Sequence, residues 1–196
     1  MPNLPISQLP ELTAITSNAQ FAVSQDGVTY SVKRGYMASG KFFLSAYQSN
    51  TQSGFTINTA YSVSASTVAD NNGITVVDGC KFQVSSGGTY NLQFSLQLNK
   101  LQGGSAEDID IWLAKNGTNV DWSNTNITLA NNNTLQVAAW NFVLPLNAGD
   151  YLELKISVTS SDVVIFSEGT KTSPTRPAIP SSIVRSEEHT SELQSH

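Results

Sequence analysis

The clearest pattern in the chain is a strict alternation of apolar and polar residues between Thr89 and Lys100. The apolar set consists of Tyr90, Leu92, Phe94, Leu96 and Leu98, and the polar set of Asn91, Gln93, Ser95, Gln97 and Asn99. Successive side chains of a β-strand point to opposite sides of the sheet, whereas an amphipathic helix repeats about every 3.6 residues. The segment is therefore predicted to be a long strand with one buried face.

The rest of the chain is predicted to form more short strands joined by turns. The alternation returns in residues 151–158, with Leu152, Leu154, Ile156 and Val158 inward and Glu153, Lys155 and Ser157 toward water. Other strands are predicted at residues 41–47, 54–65, 74–77, 108–114, 120–129, 135–146 and 163–166. Turns are predicted at residues 70–73 and at Asn116-Gly117, a strong hairpin signal. Many short strands at intervals of about 8 to 12 residues are typical of an all-β sandwich or barrel.

Residues 1–40 have a different character and are predicted to form an extended N-terminal arm with a hairpin. Residues 6–12 are extended and interrupted by proline, and Asp26-Gly27 then separates two β-rich runs, residues 21–24 and 28–32. A lone hairpin is marginally stable in water. The arm is therefore expected to pack against something, and the main domain is placed at residues 41–184.

Composition narrows the class of protein. The 196 residues are 39% hydrophobic and only 13% charged, which is too apolar for a disordered chain. The net charge of −5 and the scattered basic residues argue against nucleic acid as a partner. Neither a basic, apolar leader nor an apolar run of about 20 residues is present, so secretion and a membrane partner are not expected. Cys80 is the single cysteine, which leaves no intrachain disulfide and no thiolate cluster.

The last twelve residues, 185–196, read RSEEHTSELQSH and resemble the translation of a common sequencing adapter. We interpret them as an artefactual tail in an assembled, metagenomic sequence, with the native sequence lost after Val184. Residues from Arg185 onward are then expected to be disordered or wrongly paired. Both histidines, His189 and His196, belong to this tail.

Without those histidines the chain lacks the Ser-His and Cys-His pairs of nucleophilic enzymes and any His metal site. The densest acidic cluster is Glu107, Asp108 and Asp110. Paired carboxylates can hydrolyse glycosides or hold calcium, but an ordinary strand start explains them better. We expect no enzymatic activity, no cofactor and no metal.

The three tryptophans, Trp112, Trp122 and Trp140, have two interpretations. Exposed aromatic rings stack on sugars, whereas most tryptophans pack in a core or an interface. The position of Trp122 near a turn keeps glycan contact open for that residue alone.

Two stretches resemble the tumour-necrosis-factor and complement globular-head superfamily. Residues 88–95, GTYNLQFS, resemble its Gly-x-Tyr-x-x-x-Phe-Ser strand, and residues 146–154, LNAGDYLEL, its Leu-x-x-Gly-Asp turn and strand. Residues 109–116 are similar to its strand that ends in a Lys-Asn turn. The resemblance spans about residues 42–184 and implies a jelly-roll β-sandwich that assembles as a homotrimer. Phe43, Tyr47 and Tyr151 carry apolar bulk opposite the predicted core, which suggests the trimer interface or, alternatively, satellite core packing.

The arm separately resembles a leader found on structural proteins of tailed phages. Its I-x-x-L-P-x-L-T stretch is residues 6–13, and its V-x-x-x-G-x-T-Y-x-V hairpin is residues 23–32. Residues 174–184 also look like phage proteins of this kind. The resemblance implies a virion protein assembled in the host cytoplasm: a fibre, decoration or tail-associated knob that joins other virion proteins through its arm and meets a host-surface glycan. The alternatives are a carbohydrate-binding module with the same fold and, less supported, a glycosidase.

Overall fold

The computed structural model describes residues 20–25, 28–33, 42–102, 104–130 and 135–189. The chain divides into two compact units, Met1–Gly40 and Lys41–His196. In the first unit, β1 (Gln20–Gln25) pairs antiparallel with β2 (Val28–Lys33), and Gln25 lies opposite Val28. The predicted hairpin is thus confirmed. Its turn residues and the extended stretch predicted at residues 6–12 lie outside the described residues.

The second unit is built from strands only in its described part. They are β3 (Phe43–Gln48), β4 (Tyr61–Ser62), β5 (Thr67–Asn72), β6 (Ile74–Val77), β7 (Lys81–Val84), β8 (Gly88–Lys100), β9 (Glu107–Lys115), β10 (Thr118–Asn119), β11 (Thr125–Leu129), β12 (Gln136–Leu146), β13 (Tyr151–Val158), β14 (Val163–Ile165), β15 (Lys171–Thr172), β16 (Thr175–Arg176) and β17 (Ser182–Glu188). Among the described residues no helix is long and apolar enough to span a bilayer.

The strands form two main antiparallel sheets and a small β15–β16 hairpin. The six-stranded sheet has the order β12-β8-β17-β3-β5, with β14 also on β8. The seven-stranded sheet has the order β10-β9-β13-β7-β6, with β11 on β9 and β4 on β13. Neighbours in each sheet are mostly distant in the sequence, as in double-sheet jelly rolls. The predicted jelly-roll β-sandwich is confirmed.

The core lies between the two sheets, where the alternating strands place their apolar sets. All five apolar residues predicted to point inward from β8, from Tyr90 to Leu98, are buried. The same holds for Leu152, Leu154, Ile156 and Val158 of β13. Glu153 is an exception to the predicted polar face, because it is only 5% exposed. Its carboxylate accepts hydrogen bonds from Ser62 and Lys155, which satisfies it away from water.

Two predictions between β3 and β7 are wrong. Residues 54–65 contain only the short strand β4, because Gly54 and Asn58 adopt positive φ angles of 79° and 54° that end extended pairing. Residues 70–72 were predicted to be a turn but extend β5, where Asp70 pairs with Ser45. The bend falls at Gly73 alone (φ 67°), where the chain passes from one sheet to the other.

The Asn116-Gly117 hairpin is confirmed, with positive φ at both residues as a tight two-residue turn requires. The strand predicted at 120–129 is too long, since β11 begins only at Thr125. The Ser123 hydroxyl accepts a hydrogen bond from the Leu113 amide at 3.0 Å and donates one to the Val120 carbonyl at 2.7 Å. A serine whose hydroxyl forms hydrogen bonds with nearby backbone groups favours a turn over a strand.

Residues 185–188 lie in the middle of the six-stranded sheet, contrary to the expectation of disorder there. β17 pairs with β3 on one side and β8 on the other, and its register runs without a break from Ser182 to Glu187 on both. The physical reason is that a gap between β3 and β8 would leave two rows of backbone groups unpaired. Ladder hydrogen bonds depend little on which side chains the inserted strand carries.

Candidate functional site

The outer face of the six-stranded sheet is one candidate surface. Directly paired residues of antiparallel strands carry their side chains on the same side, so the pairing defines rows across β3, β17, β8 and β12. The rows are Phe43, Glu187, Asn91 and Val143; Ser45, Arg185, Gln93 and Asn141; and Tyr47, Ile183, Ser95 and Ala139. We call this surface, together with the Gln97–Val137 pair, the charge-poor face.

In its four-strand rows the charge-poor face carries two charged residues, Arg185 and Glu187, and the Ser45 row continues at the sheet edge to Asp70 of β5. Its apolar residues lie toward its two sides. On β12, Val137 is 55% and Val143 58% exposed. On the β3 side, Tyr47 and Ile183 line an open cleft of about 340 Å³. Exposed apolar side chains that share one surface are typical of a site that a partner covers.

The three residues predicted for a trimer interface do not lie together. Phe43 and Tyr47 are half-buried on the charge-poor face. Tyr151 lies on β13 of the other sheet, where Lys81 Nζ is 5.4 Å from its ring centroid. The prediction for Tyr151 therefore concerns a different surface from that of Phe43 and Tyr47.

The outer face of the seven-stranded sheet is more highly charged. Lys155 Nζ lies 3.1 Å from the Glu153 carboxylate, and the outward row positions at the start of β9 are Asp108 and Asp110. Ile109 and Ile111 are fully buried, which confirms that the acidic cluster is a strand start with its apolar residues inward. A hydrogen bond from the Thr159 hydroxyl lowers the pKa of Glu107. A glycosidase acid needs the opposite shift.

A polar cleft of about 430 Å³ opens on this charged face. We call it the Trp122 cleft, and its walls include Asp110, Trp112, Asp121, Trp122, Asn124 and Ser157. Trp122 is fully exposed and adopts a φ of 63°. The indole of Trp112 donates a 2.8 Å hydrogen bond from Nε1 to Asn119 Oδ1, which fixes the ring plane.

The carboxylate of Asp110 is also held in place. Its Oδ1 accepts hydrogen bonds from the side-chain amides of Asn124, at 3.0 Å, and Asn126, at 3.2 Å. No hydrogen bond among the described residues uses Asp110 Oδ2. The cleft therefore combines two aromatic rings with an oriented acceptor.

Trp140 has a structural role. Its ring packs edge-on against Phe94 with centroids 4.5 Å apart, and against Phe142 at 6.5 Å. Cys80 is partly buried, and burial raises the pKa of its thiol. Within the described ranges, no group of three or more His, Cys, Asp or Glu side chains is arranged to hold a metal.

The sequence pattern missed Val137, Val143 and the polar walls of the Trp122 cleft. In β12 both faces carry bulky apolar residues, so the alternation does not distinguish Val143 from its inward neighbours Phe142 and Leu144. Asp110 and Asn124 are separated by a turn, and only the β9–β11 pairing brings them together. No local sequence pattern predicts this contact.

Solved structures that resemble the chain include three crystal structures of murine APRIL, a member of the tumour-necrosis-factor family, at pH 8.5, pH 8.0 and pH 5.0. Each gives a TM-score of 0.46 and covers 76% of this chain and 99% of the APRIL chain, with sequence identities of 13%, 12% and 13%. A scan against protein-family models finds no match, and a search of curated protein sequences finds none.

Proposed function

We propose that this chain is a homotrimeric structural protein of a bacteriophage particle, serving as a fibre, decoration or tail-associated knob. The observation that carries the proposal is the contrast between the two outer faces of the sandwich. The outer face of the seven-stranded sheet carries Asp108, Asp110, Glu153 and Lys155, whereas most positions in the rows of the charge-poor face are uncharged polar or apolar residues, with Arg185 and Glu187 as the charged ones on β17. Depletion of charge is a mark of the central part of protein interfaces.

A second and third copy of the chain are the occupants that this face favours. In a ring, each copy uses two different patches, one toward each neighbour. The charge-poor face offers two such patches, with Phe43 and Tyr47 on one side and Val137 and Val143 on the other. We place the β3 side of one copy against the β12 side of the next, around a threefold axis.

Attachment to the particle is assigned to residues 1–40. They form a compact unit of their own, and their motifs are the ones that resemble the leaders of tailed-phage structural proteins. Among the described residues, the buried core cluster lies at positions 44–184 of the jelly-roll unit. A separate N-terminal unit is suited to connect the jelly roll to other virion proteins.

Light scattering coupled to gel filtration tests the trimer. The molar mass measured for the full chain is expected to be three times its 21.0 kDa monomer mass. Val143→Asp places a charge in the interface and is expected to yield monomers, because an unpaired buried charge is costly. Val77→Asp is the matched control, since Val77 is exposed at 37% on the other sheet. A monomeric wild type, or a Val143→Asp variant that stays trimeric, contradicts this assembly.

The DNA that flanks the coding sequence tests the viral role. Genes for capsid or tail proteins are expected on both sides. Flanking genes for polysaccharide breakdown or secretion would instead support the second candidate, a carbohydrate-binding module, which the exposed ring of Trp122 also suits.

A further inference from the structure

The loop that carries Trp122 combines two features that disfavour folding. A bulky side chain in the left-handed region costs about 1–2 kcal/mol, and an exposed indole gives up the stabilisation that burial would bring. Trp122 has a φ of 63° and is fully exposed. Its neighbour Ser123 is buried and anchored to Leu113 and Val120. The anchored neighbour therefore holds Trp122 in a strained backbone conformation, although Trp122 adds nothing to the core. Backbone strain of this kind is characteristic of functional sites.

The residues around Trp122 form an organised recognition surface rather than a loose loop. Trp112 is fixed by its bond to Asn119, and Asp110 by its bonds to Asn124 and Asn126. Pre-positioned side chains lose little conformational freedom when a ligand binds, so less of the interaction energy is spent on ordering them. The cleft volume of about 430 Å³ lies within the usual range for small-molecule sites.

The chemistry of the walls identifies the class of ligand. The C–H face of a sugar ring packs on an indole, and its hydroxyls donate to carboxylate and amide oxygens. Asp110 Oδ2, which accepts no hydrogen bond from the described residues, and the carboxylate of Asp121 are acceptors of this kind. No Lys or Arg among the described residues lines the cleft, so the two carboxylates repel anionic ligands such as sialylated glycans. Quaternary ammonium ligands are bound inside cages of aromatic rings. The ring of Trp122 is fully exposed and does not enclose a ligand, so this class of ligand is not favoured.

We infer that the Trp122 cleft binds a neutral glycan, with Trp122 and Trp112 as stacking surfaces and Asp110 as the hydrogen-bond acceptor for sugar hydroxyls. The cleft lies on the outer face of the seven-stranded sheet, opposite the charge-poor face. Trimer formation through the charge-poor face therefore leaves it open. Three copies in one particle component would then bind a repeating polysaccharide more tightly than one copy does. The binding site itself does not depend on that assembly.

A glycan array followed by titration in solution tests this inference. The full chain is expected to retain neutral glycans, such as oligosaccharides of glucose, galactose, mannose or N-acetylglucosamine, and not their sialylated forms. In ¹⁵N-labelled protein, a retained neutral oligosaccharide is expected to shift the indole resonances of Trp122 and Trp112 but not that of Trp140. The inference is overturned if no neutral glycan on the array binds the chain. It is also overturned if choline displaces a bound neutral glycan, or if the chain prefers sialylated glycans.

Variants separate the site from the fold. Trp122→Ala is expected to weaken binding about tenfold or more, Trp122→Phe to retain part of it, and Asp110→Asn to weaken it while leaving the ring shifts in place. Leu135→Ala, which removes an exposed side chain outside the cleft, is the matched control and is expected to bind normally. Unchanged binding by Trp122→Ala overturns the inference. Because Trp122→Gly relieves the positive φ, it provides a folded variant without the ring if Trp122→Ala proves unstable.

Discussion

At the scale of single residues, the Asp150 carboxylate is held by three partners in the turn between β12 and β13. Its Oδ2 accepts a hydrogen bond from the Asn147 amide at 2.8 Å and lies 2.9 Å from Lys115 Nζ. Its Oδ1 accepts from the Asn116 side chain at 2.7 Å. The Asn147 amide contributes most to lowering the pKa of Asp150 to about 2, followed by the Lys115 and Asn116 side chains.

Asp150 is therefore expected to contribute to the acid dependence of stability. The folded pKa of about 2 lies below the ordinary 3.8, so the stabilisation is complete above pH 3.8 and is lost as the pH falls toward 2. Asp150→Asn is expected to lower the free energy of unfolding at neutral pH and to flatten its decline between these two values. Urea denaturation across pH 2 to 7 measures both effects. Stability curves for Asp150→Asn and the unchanged protein that run parallel across this pH range would contradict the assignment.

The sequence pattern predicted contacts well where the partners are close neighbours in the sequence. Gly149 adopts a positive φ of 85° and Asp150 accepts a backbone amide, as the Gly-Asp turn pattern indicates. The same reasoning left Trp122 with two interpretations, because exposure depends on the fold around a residue. Its neighbour Ser123 is anchored to Leu113, a contact across ten positions of sequence that no local pattern encodes.

At the scale of elements, β17 is unusual because most of its inward positions are polar. Its inward positions are Ser182, Val184, Ser186 and Glu188, paired with Leu96, Phe94, Leu92 and Tyr90 of β8. Val184 is the only apolar residue of this set, although β8 places large apolar side chains opposite all four positions. We propose that residues from Arg185 onward, which resemble a translated adapter, are foreign to the native strand, because Ser186 and Glu188 add no apolar side chain opposite Leu92 and Tyr90.

An apolar side chain at position 186 is therefore expected to stabilise the fold. Ser186 is only 5% exposed and is paired with Leu44 and Leu92, which are both buried. Ser186→Val buries additional methyl groups among them and is expected to raise the free energy of unfolding by about 1 kcal/mol. Denaturant titration measures the change, with Ser53→Val as a control at an exposed position. A loss of stability in Ser186→Val would show that this site prefers the hydroxyl.

The strands with a strict alternation were predictable, whereas strand pairing and strand limits were less so. The β8 and β13 faces follow directly from sequence, since every second residue enters the core. Residues 70–72 contain Asp and Asn, which favour turns, yet they form part of β5 because β3 offers an edge to pair with. Tertiary pairing overrides local preference there.

At the scale of the whole molecule, the two surfaces proposed to be functional lie on opposite sheets of one sandwich. The charge-poor face is proposed to assemble copies, and the Trp122 cleft to meet a glycan. Alternation predicted that each sheet would have an outer face, but it did not predict which outer face would be charged. That difference emerges only when the pairing aligns Asn91, Gln93 and Ser95 of β8 with Val143, Asn141 and Ala139 of β12.

The division into units leads to a prediction for the arm. A variant that lacks residues 1–40 is expected to keep the unfolding free energy of the jelly-roll unit, because residues 41–196 form a compact unit of their own and the core cluster of the described residues lies within it. It is also expected to remain trimeric, because the charge-poor face is intact, and to lose its association with particles. Denaturant titration, light scattering and co-sedimentation with purified particles measure these three properties separately. Co-sedimentation that survives the deletion would move the attachment site to the jelly roll, while monomers would show that the arm itself holds the trimer together.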